Sequence, residues 1–281
     1  KGSEVSSSTS YSYVTDLLVQ ESEGGKSVNS VNNVNSVNSV DKVVKKGKRN
    51  ESSVKFASWN VRSFCKVGLQ VEGVVKSGAK DKKKPDDTLI YAVQEMITNG
   101  IDFMGVQETK IKGKGFLNRD IDDKGGTLFY SGCAEEGTTR NGVGIIVKKS
   151  LVKDIKQDGV HAVNERMMWL EGCFYGKDMA IVSVYAPTEE YGIEEKELFY
   201  HQLEDMMASI PKEYEMKVIL GDWNARIGEY SAEWEHVRGR YITGERNVNG
   251  NLLLEFCGKN KFFLSATNFE KKSYTTFTFP A

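Results

Sequence analysis

Five residues of the 281-residue chain carry side chains suited to phosphoester chemistry and occupy equivalent places: Asn60, Glu108, Tyr185, Asp222 and Asn224. Each closes or follows a short apolar run of strand type, so four predicted strand ends each deliver a polar group. Strand ends along one sheet edge are where sites assemble in layered α/β folds. Glu108 and Asp222 offer hard oxygens suited to Mg²⁺, which keeps several waters and takes only one or two carboxylates from a protein. Asn60, Asn224 and Tyr185 add neutral groups that can orient a phosphate or its attacking water. A cation between a carboxylate and a phosphoryl oxygen stabilises developing charge, and a carboxylate beside water orients or deprotonates it. The chemistry implied is phosphoester hydrolysis. Singly, each residue has a bland reading: Asn after a strand makes a turn, Glu108 is a surface carboxylate, and Tyr185 plugs a core. Four such strand ends in one chain are not ordinary.

The elements that must position these residues follow from periodicity. Residues 54–59 predict a strand delivering Asn60, and residues 101–106 one delivering Glu108. Residues 179–184 pair with 167–174 across Tyr175-Gly176-Lys177-Asp178, a hairpin signal whose second arm delivers Tyr185. Residues 216–220 lead into Gly221-Asp222-Trp223-Asn224. Further strands are predicted at 128–130, 143–147, 262–265 and 274–279. Helices are predicted at 88–97 with Leu89, Val93, Met96 and Ile97 inward, at 193–210 with Leu198, Phe199, Leu203, Met206, Met207 and Ile210 inward, and at 251–259 with Leu252, Leu253, Phe256 and Cys257 inward. Strands alternating with amphipathic helices define an α/β domain.

Composition bounds the rest. Hydrophobic residues make up 39% and charged residues 27%, which excludes collagen, coiled coil and wholesale disorder. Thirty-eight basic against 39 acidic residues leave a net charge of -1, so any grip on nucleic acid must be local. Cys65, Cys133, Cys173 and Cys257 form no C-x-x-C pair, which argues against a disulfide framework or structural zinc and for a reducing compartment. No apolar stretch reaches the roughly 18 residues that span a bilayer, and an intracellular protein without a membrane segment is the expectation. Residues 1–53 are rich in Ser, Asn, Val and Lys, with Val-Asn-Ser recurring, and read as a disordered low-complexity tail before a domain at 54–281. The cluster from Lys42 to Arg49 reads either as a solvated tail or as a nuclear-import or phosphate-contacting patch. Lys1 in place of Met and the last residues Phe279-Pro280-Ala281 read as cut ends.

Trp59-Asn60-Val61-Arg62-Ser63, Val106-Gln107-Glu108-Thr109-Lys110, Gly142-Val143-Gly144-Ile145, Val184-Tyr185-Ala186-Pro187-Thr188 and Gly221-Asp222-Trp223-Asn224-Ala225-Arg226 together resemble the endonuclease/exonuclease/phosphatase superfamily. Their order and spacing look most like the apurinic-type endonuclease domains of LINE-like retrotransposons and the craniofacial development protein 2-like proteins related to them. Asn249-Gly250-Asn251-Leu252-Leu253, Ala266-Thr267-Asn268-Phe269 and Tyr274-Thr275-Thr276-Phe277 continue the similarity. The resemblance implies a DNase I-like four-layered α/β sandwich, Mg²⁺ or Mn²⁺ as cofactor, DNA as substrate, and hydrolysis without a covalent intermediate. It implies that Glu108 is the main metal ligand with Asn60 in support, that Tyr185 contacts the scissile phosphate, that Asp222 orients or activates water, and that Asn224 stabilises the transition state. Thr267 and Asn268 would stand behind these groups, and Phe277 near the substrate strand.

The departures matter equally. The family continues into a strand carrying an Asp and then a Ser-Asp-His, and this sequence ends before either, so the fold is expected to lack the family's C-terminal strands. None of the three histidines is an obvious substitute: His161 precedes a predicted strand, His201 lies in a helix, and His236 sits in the loop after Asp222. The connection 66–87, with Lys80-Asp81-Lys82-Lys83-Lys84, reads as a solvated insertion or a backbone contact to nucleic acid. Arg62, Arg226, Arg238 and Arg240 lie near motif ends and read either as phosphate contacts or, as loop arginines normally do, as solvated residues. Two alternatives to an Mg²⁺-dependent DNA endonuclease stand: an inactive remnant serving as a nucleic-acid-binding or scaffold module, and a phosphatase or lipid phosphodiesterase on the same fold.

Overall fold

In a computed structural model of the chain, the structure describes residues 16–21, 54–64, 88–134, 140–242 and 244–268. The connection 66–87, the basic cluster at 42–49, Phe277 and the strand expected at 274–279 lie outside the described residues.

Two sheets stack face to face. The first has five strands in the order β2 (Phe56–Asn60), β3 (Phe103–Gln107), β6 (Val143–Lys148), β5 (Lys124–Ser131) and β4 (Lys114–Ile121). The second has six, in the order β11 (Phe263–Leu264), β1 (Asp16–Glu21), β10 (Met216–Asp222), β9 (Lys177–Tyr185), β8 (Met167–Phe174) and β7 (Ile155–Asn164). Strand alternation decides what each face meets. On β9, Ile181 and Tyr185 point between the sheets while Val182 and Val184 point outward; on β10, Val218 and Leu220 point inward and Ile219 outward. The inner layer therefore joins Phe56 and Phe103 of one sheet to Met168, Leu170, Met179 and Leu220 of the other. The sheets approach so closely at the centre that a Cβ on Gly105 would sit 2.5 Å from Leu220 Cβ.

Helix α1 (Thr88–Asn99) covers the outer face of the five-stranded sheet with Leu89, Ala92, Val93 and Met96. Helices α2 (Ile193–Ser209) and α3 (Val248–Asn260) cover the outer face of the six-stranded sheet. The order helix, sheet, sheet, helices is the four-layered α/β sandwich that the family resemblance implies. The β8–β9 hairpin closes through Tyr175 and Gly176, both at positive φ (54° and 78°), as a two-residue turn of that twist requires.

Several expectations need correction. Asp16–Glu21 lies within the stretch read as a disordered tail, yet it forms β1, laddered antiparallel to β10 from Asp16↔Gly221 to Glu21↔Met216. A backbone edge needing partners and the strand-prone run Leu17-Leu18-Val19 explain why these six residues depart from their surroundings. On α2, Phe199, Leu203, Met206, Met207 and Ile210 are buried as predicted, but Leu198 is 56% exposed and Lys196 and Tyr200 join the buried side; Lys196 buries its stem with the ammonium 3.6 Å from Glu189. On α3 the buried aliphatics are Leu253 and Leu254, with Leu252 at the margin. Strands β4 and β7 were not foreseen, because both are largely exposed and their sequences are polar. His161 precedes the predicted strand at 167–174 but itself lies within β7, opposite Trp169 of that strand.

Candidate active site

The site is built by two parallel strand pairs. β2 runs parallel to β3 with Asn60 opposite Gln107, and β9 runs parallel to β10 with Tyr185 opposite Asp222. Parallel strands end on the same edge, so each pair brings two polar residues to one rim, and face-to-face stacking brings the two rims together. Beneath the rim, Ser58, Gln107 and Ser183 link the sheets through buried polar contacts: Gln107 Nε2 donates to Ser58 Oγ at 3.1 Å and to Ser183 Oγ at 3.5 Å. Gln107 belongs to a quoted motif, but its inward position on β3 shows its role only once both sheets are in place.

Asn60 is the hinge of the arrangement. Its Nδ2 donates to Glu108 Oε1 at 2.8 Å and to Asp222 Oδ2 at 2.7 Å. One amide with two hydrogens thus spans two carboxylates delivered by different sheets. Its own orientation is set by Arg62 N–H, which donates to Asn60 Oδ1 at 3.0 Å. The Tyr185 hydroxyl donates to Glu108 Oε1 at 3.0 Å, and Lys110 Nζ lies 3.5 Å from Glu108 Oε2. Burial foremost, then the charges of Glu108 and Asp222 and the bond to Glu108, push the Tyr185 phenol far above its ordinary value, with Arg166 opposing. Tyr185 is therefore a neutral donor at any physiological pH.

Asn224 is held behind Asp222. Its N–H donates to Asp222 Oδ1 at 3.1 Å, and its Nδ2 donates to the Ala186 carbonyl at 2.9 Å. The Asn224 carbonyl accepts from Asn247 at 3.0 Å and from Asn249 at 3.2 Å, and Asn249 also donates to the Pro187 carbonyl at 2.8 Å. Two asparagines at the start of α3 thereby tie together the loops after β9 and β10. Glu108 (φ 54°), Lys110 (55°), Arg62 (56°) and Asn224 (47°) all adopt the left-handed region, which costs a non-glycine residue about 1 kcal/mol or more. Such conformations cluster where surrounding structure over-determines the backbone. Around Glu108 that structure is buried Thr109, whose amide donates to Gly142 O and whose carbonyl accepts from Phe64.

The structure thus joins Asn60, Glu108, Tyr185 and Asp222 directly and adds Asn224 through backbone and carbonyl contacts. It places other candidates elsewhere. Thr267 Oγ1 donates to Leu264 O and accepts from Gly239 N–H, and Asn268 is exposed. His161 stacks on Trp169 and bonds to Glu171, while exposed His236 stacks on Trp234. Arg238, read as a solvated loop residue, is 1% exposed; its Nη1 donates to the carbonyls of Ile227, Gly228 and Glu229 and closes the loop after Asp222. Sequence reasoning missed Arg166, whose guanidinium lies 5.5 Å from the Tyr185 ring centroid and 5.0 Å from that of Tyr191. Its only sequence signal is a cation between two strand-like runs.

No group of three His, Cys, Asp or Glu side chains among the described residues forms a ready metal cage. The donor set nevertheless suits Mg²⁺, because two carboxylate oxygens within reach of one amide nitrogen match an ion that takes few protein ligands and keeps its waters. No helix among the described residues is long and apolar enough to cross a membrane.

Comparisons with known proteins bear on the family. The model of the endonuclease/exonuclease/phosphatase family matches residues 57–260. Craniofacial development protein 2 of Bos taurus is 34% identical over 187 residues, which cover 66% of this chain and 29% of that protein. Its counterpart in Tragulus javanicus is 34% identical over 187 residues, 66% of this chain and 30% of that protein. The chain thus spans about three tenths of the length of these curated relatives. Among solved structures, the endonuclease domain of TRAS1, a telomere-specific non-LTR retrotransposon, aligns with a TM-score of 0.36 at 15% identity, covering 59% of this chain and 61% of that one. Strand-end chemistry and a family match across most of the described fold lead to one assignment: the chain belongs to the endonuclease/exonuclease/phosphatase family.

Proposed function

We propose that the chain is a divalent-metal-dependent phosphodiesterase that cleaves DNA. The observation that carries this reading is the single amide of Asn60 holding Glu108 and Asp222 together while the Tyr185 hydroxyl stands on the same Glu108 oxygen. Glu108, supported by Asn60, would hold Mg²⁺ or Mn²⁺, and the bound ion would neutralise charge developing on a phosphoryl oxygen. Asp222, fixed by the Asn224 N–H, orients a water and takes its proton. Tyr185 stays protonated, and its single proton, held by Glu108 in the free protein, would turn to a phosphoryl oxygen. Asn60 keeps the two carboxylates apart and aligned, and Asn224 sets the turn that aims Asp222. DNA is the substrate implied by the resemblance of the five quoted motifs to retrotransposon-type endonuclease domains.

The test is nicking of supercoiled plasmid by the 281-residue chain in Mg²⁺, beside Asp222→Ala and an EDTA control. Nicking falls by at least about 10³-fold in Asp222→Ala and disappears in EDTA. Nicking that survives both changes would overturn the reading. A folded protein that binds plasmid without nicking would do the same in favour of a binding module, and release of phosphate from an inositol phosphate without plasmid nicking would move the substrate to that class.

A further inference from the structure

The β7–β8 turn is wired into the site from two sides. Asn164 Oδ1 accepts from the amides of Arg166 at 2.8 Å and Met167 at 3.0 Å, which fixes the turn. On one side, Glu165 O accepts Gly142 N–H at 2.9 Å, and Asn141 Nδ2 donates to Glu165 Oε1 at 2.6 Å. Gly142 and Asn141 in turn accept the amides of Thr109 and Lys110, the two residues that follow Glu108. On the other side, Arg166 O accepts Tyr185 N–H at 2.8 Å, and Arg166 Nη1 donates to Tyr185 O at 3.2 Å. The guanidinium also faces the Tyr185 ring, with Tyr191 on its other contact. One residue therefore holds Tyr185 at its N–H, its carbonyl and its ring, and the same turn anchors the loop that presents Glu108.

We infer that Arg166 is a positioning residue that keeps the Tyr185 hydroxyl on Glu108. The inference rests on the phosphodiesterase reading of the site and adds to it a residue that no motif contains. A planar guanidinium can lie over an aromatic face while one of its N–H groups bonds a carbonyl. A lysine ammonium is a point charge and cannot do both in this geometry. Without Arg166 the ring of Tyr185 loses its polar brace, and a phenol displaced by an ångström no longer aims its one proton at Glu108 or, in its place, at an incoming phosphoryl oxygen.

The experiment is a double-mutant cycle of Arg166→Met and Tyr185→Phe in the 281-residue chain, with Arg166→Lys as a third variant. It is read by kcat and KM for plasmid nicking and, independently of activity, by the urea midpoint. Arg166→Met lowers kcat about 100-fold, the cost of a misplaced reacting group, and leaves KM within about twofold. Arg166→Lys does not restore the rate. The double variant nicks no more slowly than Tyr185→Phe alone, since a hydroxyl that is absent cannot be misplaced. Losses that multiply, or a raised KM with kcat kept, would overturn the inference, the latter in favour of direct substrate contact. If no variant and no wild-type sample nicks DNA, the function reading fails on its own, and the midpoints decide the inference: non-additive shifts support it and additive shifts overturn it.

Discussion

Asn60 presents the sharpest case of one side chain holding two sheets in register. Its two amide hydrogens are directed at carboxylates 48 and 162 residues away in sequence. Replacing it by alanine removes the donor that bridges Glu108 and Asp222, and like charges at such range repel. We expect Asn60→Ala to lower the nicking rate about 10²- to 10³-fold, the usual effect of removing one preorganised donor. Asn60→Asp is the more informative change, because it is nearly isosteric and places a third carboxylate between the two. Its urea midpoint in metal-free buffer should fall below that of Asn60→Ala. A midpoint equal to wild type would show that the amide does not bridge the carboxylates in solution. Asn60, Glu108, Tyr185 and Asp222 were legible because each closes an apolar run, so position and chemistry are both written locally. Arg166 was not, because its partners Tyr185 and Tyr191 reach it only through the pairing of β8 with β9. Arg238 misled for a related reason: a guanidinium caged by three carbonyls looks, in sequence, like any loop arginine.

At the scale of elements, the β8–β9 hairpin is pinned to the opposite sheet at its turn. Tyr175 hydroxyl donates to Asp102 Oδ1 at 3.0 Å, and buried Asp102 also accepts from Lys148 Nζ at 3.0 Å and Lys55 N–H at 3.0 Å. Burial first, then the Asp102 charge and the bond to it, with Asp154 further off, push the Tyr175 phenol from 10.0 up to about 12. The fold favours the protonated phenol, so its contribution to stability is fully present below pH 10 and is lost as pH rises toward 12. We therefore expect wild type to have the higher urea midpoint at pH 8 and the gap to Tyr175→Phe to close between pH 10 and pH 12. A gap unchanged across that range would show that the phenol does not donate to Asp102. Core strands such as β3 and β10 were readable because continuous burial demands continuous apolar sequence. β4 and β7 face solvent over most of their length, so hydrophobicity carries no record of them. One position of the α2 stripe was misread for a third reason: Lys196 and Tyr200 bury long amphipathic side chains that a hydrophobic-only pattern passes over in favour of Leu198.

For the whole molecule, the strand farthest from the rest of the domain in sequence completes the sheet that carries Asp222. β1 lies between β11 and β10, with Leu18 and Val19 opposite Leu264 and Phe263 on one side and residues 216–221 of β10 on the other. Neither pairing can be read from residues 1–53, where six strand-forming residues are surrounded by Ser, Asn and Val repeats and the partner lies some 200 positions onward. A chain starting at residue 54 would leave the β10 edge with unpaired N–H and C=O groups and β11 without the strand it pairs with. Unpaired edges are templates for pairing with other chains, and each lost ladder bond removes about 0.5–1.5 kcal/mol. Because Gly221, opposite Asp16, directly precedes Asp222, loosening this edge reaches the site as well. Comparing the 281-residue chain with versions starting at residues 12 and 54 tests this. The version from 12 should match the full chain in urea midpoint and in nicking, whereas the version from 54 should show a lower midpoint, concentration-dependent association in gel filtration and slower nicking. Equal midpoints for all three would mean that the six-stranded sheet holds together without β1, and that β9, Asn60 and Asn224 suffice to position Asp222.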